Sequence, residues 1–342
     1  MSSSTPSRGT IATELVREAL AAFVSAEHPA EALLVELGLA PDCLAEPRVP
    51  VALYGRLWRR LALRFDDEFF GMDPRRLRSG SFAFLCRLCL TQTRLGDALE
   101  LALGFLNLGF EQREAQLVRQ RSLASIQLRE PGQRETRAFT CFTYWLIVHG
   151  LACWLIGRRI PLLAVELRCP EPAFTDDYRV LFSDNLRFGQ PQTRLIFAAE
   201  VLDAPVRRSQ ADVARFLAGA PNNILQRYRD AESLAERLKA RLRDLPGDQW
   251  PTGEAMAQQL HLSSATLRRR LAEQGQSYQA LKDSVRRERA IAWLADQGRS
   301  LDDIAVDLGF SDVRAFYKGF RKWTGTNPGH YRQLILVGAA QA

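Results

Sequence analysis

The sequence feature that most constrains the fold is a pair of similar blocks, at residues 252–271 and 300–323. Each block combines a short segment with one apolar face, a turn, and a second segment whose apolar residues are four positions apart. Apolar residues at this spacing share one face of an α-helix. Two short helices joined by a tight turn form a helix-turn-helix unit. The sequence therefore predicts an all-α C-terminal domain with two such units, joined by a long helix at residues 278–296.

In the first block, Thr252 and Ser263 are predicted to cap the two helices, because their hydroxyls can accept hydrogen bonds from the free amides of a helix start. Leu267 and Leu271 are predicted to face the core. The second helix then carries polar, small and basic residues on its remaining surface: Ser264, Ala265, Thr266, Arg268, Arg269 and Arg270.

In the second block, Ser300 with Asp303 forms a start that resembles a capping box, and Ser311 is predicted to cap the next helix. Gly309 is expected to supply the tight turn, because glycine tolerates a positive φ. Two phenylalanines four positions apart are predicted to face inward. The outward residues are Val313, Arg314, Tyr317 and Lys318, with Lys322 near the end of the same helix.

These units predict binding to double-stranded DNA. An α-helix fits the major groove, where an arginine can bridge two acceptors of guanine. Ser264 and Ser311 at the helix starts, with Arg270 and Lys322, suit contacts to phosphates. A helix over residues 278–296 spans about 28 Å, which is close to the ~34 Å of one DNA turn. The two recognition helices are therefore expected to enter successive major grooves.

Composition and motifs add little to this prediction. A formal net charge of +7 and a pI near 9.3 favour a polyanionic partner, but many basic proteins bind no nucleic acid. The four histidines are scattered, and no metalloprotease, nucleotide-binding or serine-hydrolase motif occurs. We therefore predict no enzyme, no catalytic residues, no cofactor and no metal site. The alternative is an enzyme domain fused to a DNA-binding module.

All six cysteines lie in the first half of the chain. Cys86 and Cys89 form a CxxC pair, which suits redox or metal chemistry, but they lie in an apolar run without a second such pair nearby. The polar start of the chain lacks the apolar segment of a secretion signal. We therefore expect buried, reduced thiols and a cytoplasmic protein.

Residues 138–157 contain no charged residue and have the length of a membrane-spanning helix. Polar residues such as Thr143 and His149 dilute the segment. We interpret it as a buried helix of a soluble domain, with a dimer interface as one place for it. A membrane-tethered protein is the alternative.

The remaining chain predicts an α+β N-terminal domain. Residues 11–110 have mainly helical spacing, whereas Ala124, Ile126 and Leu128 alternate as in a strand. The predicted organisation is a disordered tail at 1–10, a regulatory or dimerisation domain at 11–205, a linker at 206–230 and a DNA-binding domain at 231–335.

Residues 231–334 resemble the DNA-binding domain of AraC/XylS-family transcription regulators. Arg286, Ala290 and Leu294 fit the connecting helix of that family. Val313 and Ala315 depart from its pattern, which we interpret as a change in base preference. The most specific match lies at residues 304–332, on Ile304, Ala305, Gly309, Phe310, Ser311, Phe316, Lys318, Phe320, Arg321, Lys322, Trp323, Gly325, Pro328, Tyr331 and Arg332.

The N-terminal two thirds resemble, more loosely, the regulatory domain of long members of this family, on short motifs near residue 37 and at 105–110. The resemblance implies a transcription regulator, an activator or a repressor, that forms a homodimer through residues 11–205. It also implies a small-molecule effector and contact with RNA polymerase. The second alternative is a constitutive DNA-binding protein whose N-terminal domain only dimerises.

Overall fold

The structure is a computed structural model with two compact units, Met1–Arg229 and Asp230–Ala342. The first unit is α+β and the second is all-α, so the predicted fold class is confirmed. The structure describes residues 9–120, 123–129, 137–183, 185–228, 234–273, 276–294, 296, 298–324 and 326–333.

The N-terminal unit combines helices with a mixed sheet. Its helices are Glu14–Leu20 (α1), Ala30–Glu36 (α2), Val51–Phe65 (α3), Ser81–Cys89 (α4), Leu95–Gly109 (α5), Ala138–Ile156 (α6), Thr175–Leu181 (α7), Gln210–Gly219 (α8) and Asn222–Tyr228 (α9). Its strands are Thr10–Ala12 (β1), Arg48–Pro50 (β2), Glu114–Gln120 (β3), Leu123–Arg129 (β4), Leu162–Glu166 (β5), Leu186–Arg187 (β6) and Thr193–Ala198 (β7). Strands β1 and β2 pair by themselves, and the others form a sheet in the order β3-β4-β7-β5-β6. Neighbouring strands are antiparallel, except that β5 and β6 are parallel.

Strand β4 confirms the strand predicted from alternation. Ala124, Ile126 and Leu128 are buried, and the residues between them are only partly buried. In the register of the sheet, Ile126 lies opposite Leu117 of β3 and Leu195 of β7. One face of β4 therefore covers the core, as a period of two residues requires.

Helix α6 is the central core helix of the N-terminal unit. All its residues are buried, and it packs against α4 and α5. A helix covered on all sides needs no polar face. Within the described residues it is also the one helix long and apolar enough to cross a membrane, and it lies entirely inside the unit. The structure thus supports the buried-helix interpretation of residues 138–157.

Residues 206–230 differ from the predicted linker, because α8 and α9 lie there. Val213, Phe216 and Leu225 are buried in the core of the N-terminal unit. The ring of Phe216 stacks on Trp154 of α6 at 4.6 Å. These apolar side chains complete the core of the N-terminal unit, and their burial explains why α8 and α9 are helical where a linker was predicted.

The predicted tail at residues 1–10 also differs in part. Thr10 pairs with Pro50 in the ladder of β1 and β2, and its hydroxyl accepts a hydrogen bond from Nε of Arg48 at 2.9 Å. Residues 1–8 lie outside the described residues. The end of the predicted tail is therefore ordered by strand pairing.

The C-terminal unit is a set of helices. They are Leu234–Asp244 (α10), Gly253–Gln259 (α11), Ser264–Glu273 (α12), Tyr278–Leu294 (α13), Leu301–Asp307 (α14) and Val313–Thr324 (α15). Apolar residues of α10, α11, α12 and the first half of α13 form one core cluster, which includes Trp250. Further along, α13 packs against α14 and α15.

Candidate nucleic-acid interface

The first helix-turn-helix unit consists of α11 and α12, and both of its predicted caps are present. The Thr252 hydroxyl accepts a hydrogen bond from the amide of Ala255 at 3.2 Å. The Ser263 hydroxyl accepts one from the amide of Thr266 at 3.1 Å. These bonds satisfy amides that a helix start leaves without intrahelical partners.

The turns of the two units both use a left-handed backbone. Gly309, in the second unit, has a φ of 73°, as predicted. His261 takes the equivalent place in the first unit with a φ of 54°, and histidine is one of the few residues besides glycine that are enriched there. The first unit therefore makes the same sharp turn without a glycine.

The second unit consists of α14 and α15, and its second cap differs from the prediction. Ser300 accepts a hydrogen bond from the amide of Asp303 at 3.0 Å, as expected. At α15, however, Oδ1 of Asp312 accepts from the amide of Ala315 at 2.7 Å. Ser311 only donates its hydroxyl proton to Oδ2 of Asp312, at 3.3 Å. The prediction that Ser311 caps α15 was wrong, because the carboxylate of the next residue, Asp312, accepts the hydrogen bond of the free helix amide instead.

This cap sets the correspondence between the two recognition helices. Asp312 corresponds to Ser263, since each accepts from the amide three residues on and directly precedes its helix. The buried residues Leu267 and Phe316 then also correspond. Ser311 is therefore an extra residue in the second turn.

On α15 the outward face is basic and aromatic. Arg314, Tyr317 and Lys318 are exposed, as predicted, whereas Val313 is half-buried. Arg321 is exposed too, and it follows Arg314 by seven positions, which places it on the same helix face. Arg321 was not among the predicted DNA-contacting residues, although its spacing of seven positions from Arg314 is visible in the sequence.

On α12 the exposed residues at corresponding positions are Ser264, Ala265, Arg268 and Arg269. Thr266 is only half exposed, and its hydroxyl lies 2.8 Å from that of Ser263. Arg270 is exposed but two positions from Arg268, so the two side chains leave opposite sides of the helix. Lys322 lies next to Arg321 and is likewise exposed.

Both outward faces are positively charged. Among the residues that the structure describes, Arg268, Arg270 and Lys318 make no ion pair. Asp312, which directly precedes α15, carries a negative charge beside the basic face of that helix. The amide of Ala315 and, to smaller extents, the hydroxyl of Ser311 and the charge of Arg314 hold the pKa of Asp312 below its usual range. A carboxylate there also complements the positive end of the helix dipole.

Helix α13 joins the two units and is shorter than predicted. It ends at Leu294, two residues before the predicted end. Oδ1 of Asp296 accepts a hydrogen bond from the amide of Gly298 at 2.9 Å, a local turn that competes with the helix. A helix over Tyr278–Leu294 spans about 26 Å at 1.5 Å per residue.

Arg286 of α13 connects the two helix-turn-helix units within the C-terminal unit. Its guanidinium carbon lies 5.0 Å from the centroid of the Trp250 ring and 5.2 Å from that of Phe310. Its Nε donates to the carbonyl of Leu308 at 3.0 Å. Trp250 belongs to the core of the first unit, and Phe310 follows the turn of the second. Arg286 therefore bridges them through two cation–π contacts and a hydrogen bond.

Two glycines allow the backbones of the two helix-turn-helix units to approach each other closely beside Arg286. A Cβ on Gly309 would lie 2.5 Å from the carbonyl oxygen of Gly247, and one on Gly247 would lie 2.5 Å from the carbonyl carbon of Leu308. No side chain fits between segments this close. This backbone contact and the contacts of Arg286 hold the two helix-turn-helix units in one orientation relative to each other.

The N-terminal unit contains buried hydrogen-bond donors without partners in the described structure. Three of them are Nε of Arg113, the hydroxyl of Tyr144 and Nε1 of Trp145. All three side chains are buried, and the Tyr144 and Trp145 rings are 5.3 Å apart. Nη1 of Arg113 donates to Asp73 at 2.6 Å. Unpaired buried donors are costly, so such groups call for a partner such as water or a ligand.

The CxxC pair is buried, as expected. Burial raises the pKa of the Cys89 thiol to about 12 and raises the pKa of Cys86 as well. A thiol without thiolate character at neutral pH is a poor nucleophile and a poor metal ligand. Among the described residues, no group of histidine, cysteine and acidic side chains is placed to hold a metal ion.

Two family models match the chain. One, for the arabinose-binding domain of AraC transcription regulators, matches residues 28–206, which is more than half of the chain. The other, for a helix-turn-helix domain, matches residues 256–334. The chain belongs to the AraC family of transcription regulators. As an AraC-family member it is a DNA-binding transcription regulator and not an enzyme, which confirms both predictions.

The relatives of this AraC-family chain include regulators from Pseudomonas aeruginosa. An ornithine utilization regulator is 29% identical over 259 residues, which are 75% of this chain and 76% of the relative. The HTH-type transcriptional regulator VqsM is 37% identical over 99 residues, 29% of this chain and 30% of VqsM. The crystal structure of the transcriptional regulator CdpR is 21% identical and covers 94% of this chain and 97% of its own, with a TM-score of 0.29.

Proposed function

We propose that the protein binds a bipartite DNA site with α12 in one major groove and α15 in the next. The supporting observation is that α12 and α15 present corresponding exposed faces and lie on either side of α13 in the sequence. Helix α13 is ~26 Å long, which is comparable with the ~34 Å of one DNA turn. The bridge at Arg286 fixes the two helices in one orientation. Half-sites about one turn apart follow from this arrangement.

Within this proposal the outward residues have distinct roles. Arg268 and Arg269 of α12, with Arg314 and Lys318 of α15, read base edges, because they lie on the exposed faces. The other contacts are to phosphates or lie at the edge of the groove, from Ser264, Ala265, Thr266, Arg270, Ser311, Val313, Tyr317, Arg321 and Lys322.

Alanine substitution tests this assignment. Arg268→Ala and Arg314→Ala should each weaken binding to the cognate site by about 1–3 kcal/mol, because each removes one base contact. Arg241→Ala is the matched control, because Arg241 is exposed on α10 and not on α12 or α15, and it should leave binding unchanged. Affinities are measured by fluorescence anisotropy on an operator identified by genome-wide binding-site mapping. Intact affinity in both α12 and α15 variants would refute the groove assignment.

We also propose that the N-terminal unit senses a small molecule bearing a carboxylate. The buried donors of Arg113, Tyr144 and Trp145 support this, since carboxylate oxygens accept hydrogen bonds from such groups. The printed name of one relative links that protein to ornithine, an amino acid. The protein would then act in the cytoplasm as a homodimeric activator that contacts RNA polymerase.

A thermal-shift screen of small carboxylates, ornithine among them, tests this proposal. An effector should raise the melting temperature of the wild type, and Tyr144→Phe should reduce that rise because it removes one donor. Asn107→Ala, in the same unit but outside the donor group, is a control for general destabilisation. Lack of any response across the screen would favour the constitutive alternative.

A further inference from the structure

Helix α3 has a strongly basic outer side. Its 15 residues include four arginines and no acidic residue. Arg59, Arg60 and Arg64 follow Arg56 by three, four and eight positions, which places all four on one side of the helix. All four are exposed, whereas the opposite side of α3 is buried in the core of the N-terminal unit. The core therefore holds α3 in place with four guanidinium groups toward solvent.

Two of these arginines contact the ends of other helices. Nη1 of Arg59 lies 3.4 Å from two backbone carbonyl oxygens at the end of α8. Nη1 of Arg60 donates to the carbonyl of Leu37, directly after α2. The end of a helix carries only a partial negative charge, so these contacts leave most of the positive charge in place. Within the described residues, Arg56, Arg59 and Arg60 make no ion pair.

The C-terminal end of α3 is close to charge balance. Glu36 of α2 pairs with Arg64 at 2.6 Å. Asp66, directly after α3, pairs with Arg78 at 2.7 Å. The two acidic residues that follow Asp66 accept hydrogen bonds from backbone amides. The excess positive charge of α3 therefore lies on the three arginines before Arg64.

The other elements that contact α3 add little negative charge to this excess. Strands β1 and β2 and helix α9 contain no acidic residue. On α2, exposed Glu31 is the one acidic residue besides Glu36. The acidic residues of α1 and α8 each lie beside an arginine: Glu14 with Arg17, Glu18 with Arg137 and Asp212 with Arg215.

We propose that the outer side of α3, at Arg56, Arg59 and Arg60, binds phosphates of the DNA that the C-terminal unit recognises. Guanidinium groups suit phosphates because they donate charge-assisted, paired hydrogen bonds. From Arg56 to Arg64 the helix spans ~12 Å, a length over which a duplex carries about seven phosphate charges. Both units belong to one chain, so DNA held by one is at high effective concentration for the other. The inference needs DNA binding by this regulator and does not depend on the grooves that α12 and α15 enter.

Neutral substitution tests the charges of α3 in the full chain. Each phosphate contact adds about one to the steepness with which log affinity falls against log salt concentration. The double variant Arg56→Gln, Arg59→Gln should lower this steepness by about two, with equal losses of affinity on operator and on random duplex DNA. The double variant Arg56→Lys, Arg59→Lys should keep the wild-type value, because it keeps both charges. Fluorescence anisotropy between ~50 and ~200 mM salt measures both.

Arg87→Gln is the matched control, because Arg87 is exposed on α4 and outside this side of α3. It should leave the salt dependence unchanged, and an equal effect would mean that only net charge matters. An unchanged salt dependence in the glutamine variant would rule out DNA as the partner of α3. A lysine variant as weak as the glutamine variant would assign the arginines to holding α8 instead. The groove assignment has its own test in Arg268→Ala and Arg314→Ala, so either proposal can fail while the other stands.

Discussion

At the scale of the residue, the cap of α15 distinguishes two neighbouring side chains. Asp312→Ala should lower the melting temperature, because it leaves the amide of Ala315 without its partner. Ser311→Ala is the matched control and should have a smaller effect, because it removes only the long 3.3 Å bond from the Ser311 hydroxyl to Asp312 and leaves the cap in place. The lowered pKa of Asp312 gives the pH dependence: its contribution is present above the usual aspartate range and is lost as the pH falls through the lowered value. Thermal unfolding at neutral and at acidic pH measures both effects, and equal effects of the two substitutions would restore Ser311 as the cap.

The same residues show what sequence can predict at this scale. The basic residues of α12 and α15 were identifiable because helical periodicity separates Leu267 and Phe316 from the exposed positions. The cap was not, because serine and aspartate are about equally good N-caps and only the backbone decides between them. His261 is a similar case, since histidine takes a left-handed φ only occasionally and the sequence does not mark where it does so.

At the scale of the element, α13 separates the two helix-turn-helix units, and Arg286 in its middle contacts both of them. Arg286→Leu removes both cation–π contacts and the bond to Leu308. We expect binding to the full bipartite site to fall about tenfold or more, since loss of this bridge costs ~2 kcal/mol, the magnitude of a desolvated cation–π contact. Binding to an isolated half-site should change much less. Gel shifts on both DNAs measure this, with Arg241→Ala as the control; an equal loss on both would mean general unfolding of the unit.

Elements were predicted well where periodicity was strong and poorly where tertiary packing decides. The two helix-turn-helix units and α6 follow from apolar spacing and length alone. Helices α8 and α9 did not, because Pro205, Pro221 and Asn222 are typical of turns, whereas Phe216 and Leu225 are held by the distant core of the N-terminal unit. A segment whose order depends on side chains contributed from elsewhere has little local signal.

At the scale of the whole molecule, the protein is two units with separate tasks. The C-terminal unit carries the two helix-turn-helix units, and the N-terminal unit carries the buried donors of Arg113 and Tyr144. The division was visible in the sequence as the end of strand-like alternation. The exposure of Phe84 and Leu108 was not visible in the sequence, because it depends on how α4 and α5 pack. In a homodimer, two bipartite units share one DNA, and each raises the effective concentration of the other.

The insertion of α12 and α15 into successive major grooves is tested most directly by a hydroxyl-radical footprint of the full-length protein on a cognate operator. Two protected patches per protein copy are expected on one side of the duplex, with centres about 10 base pairs apart. Arg268→Ala should weaken one patch and Arg314→Ala the other. A single patch that both substitutions weaken equally would contradict the insertion of α12 and α15 into successive major grooves.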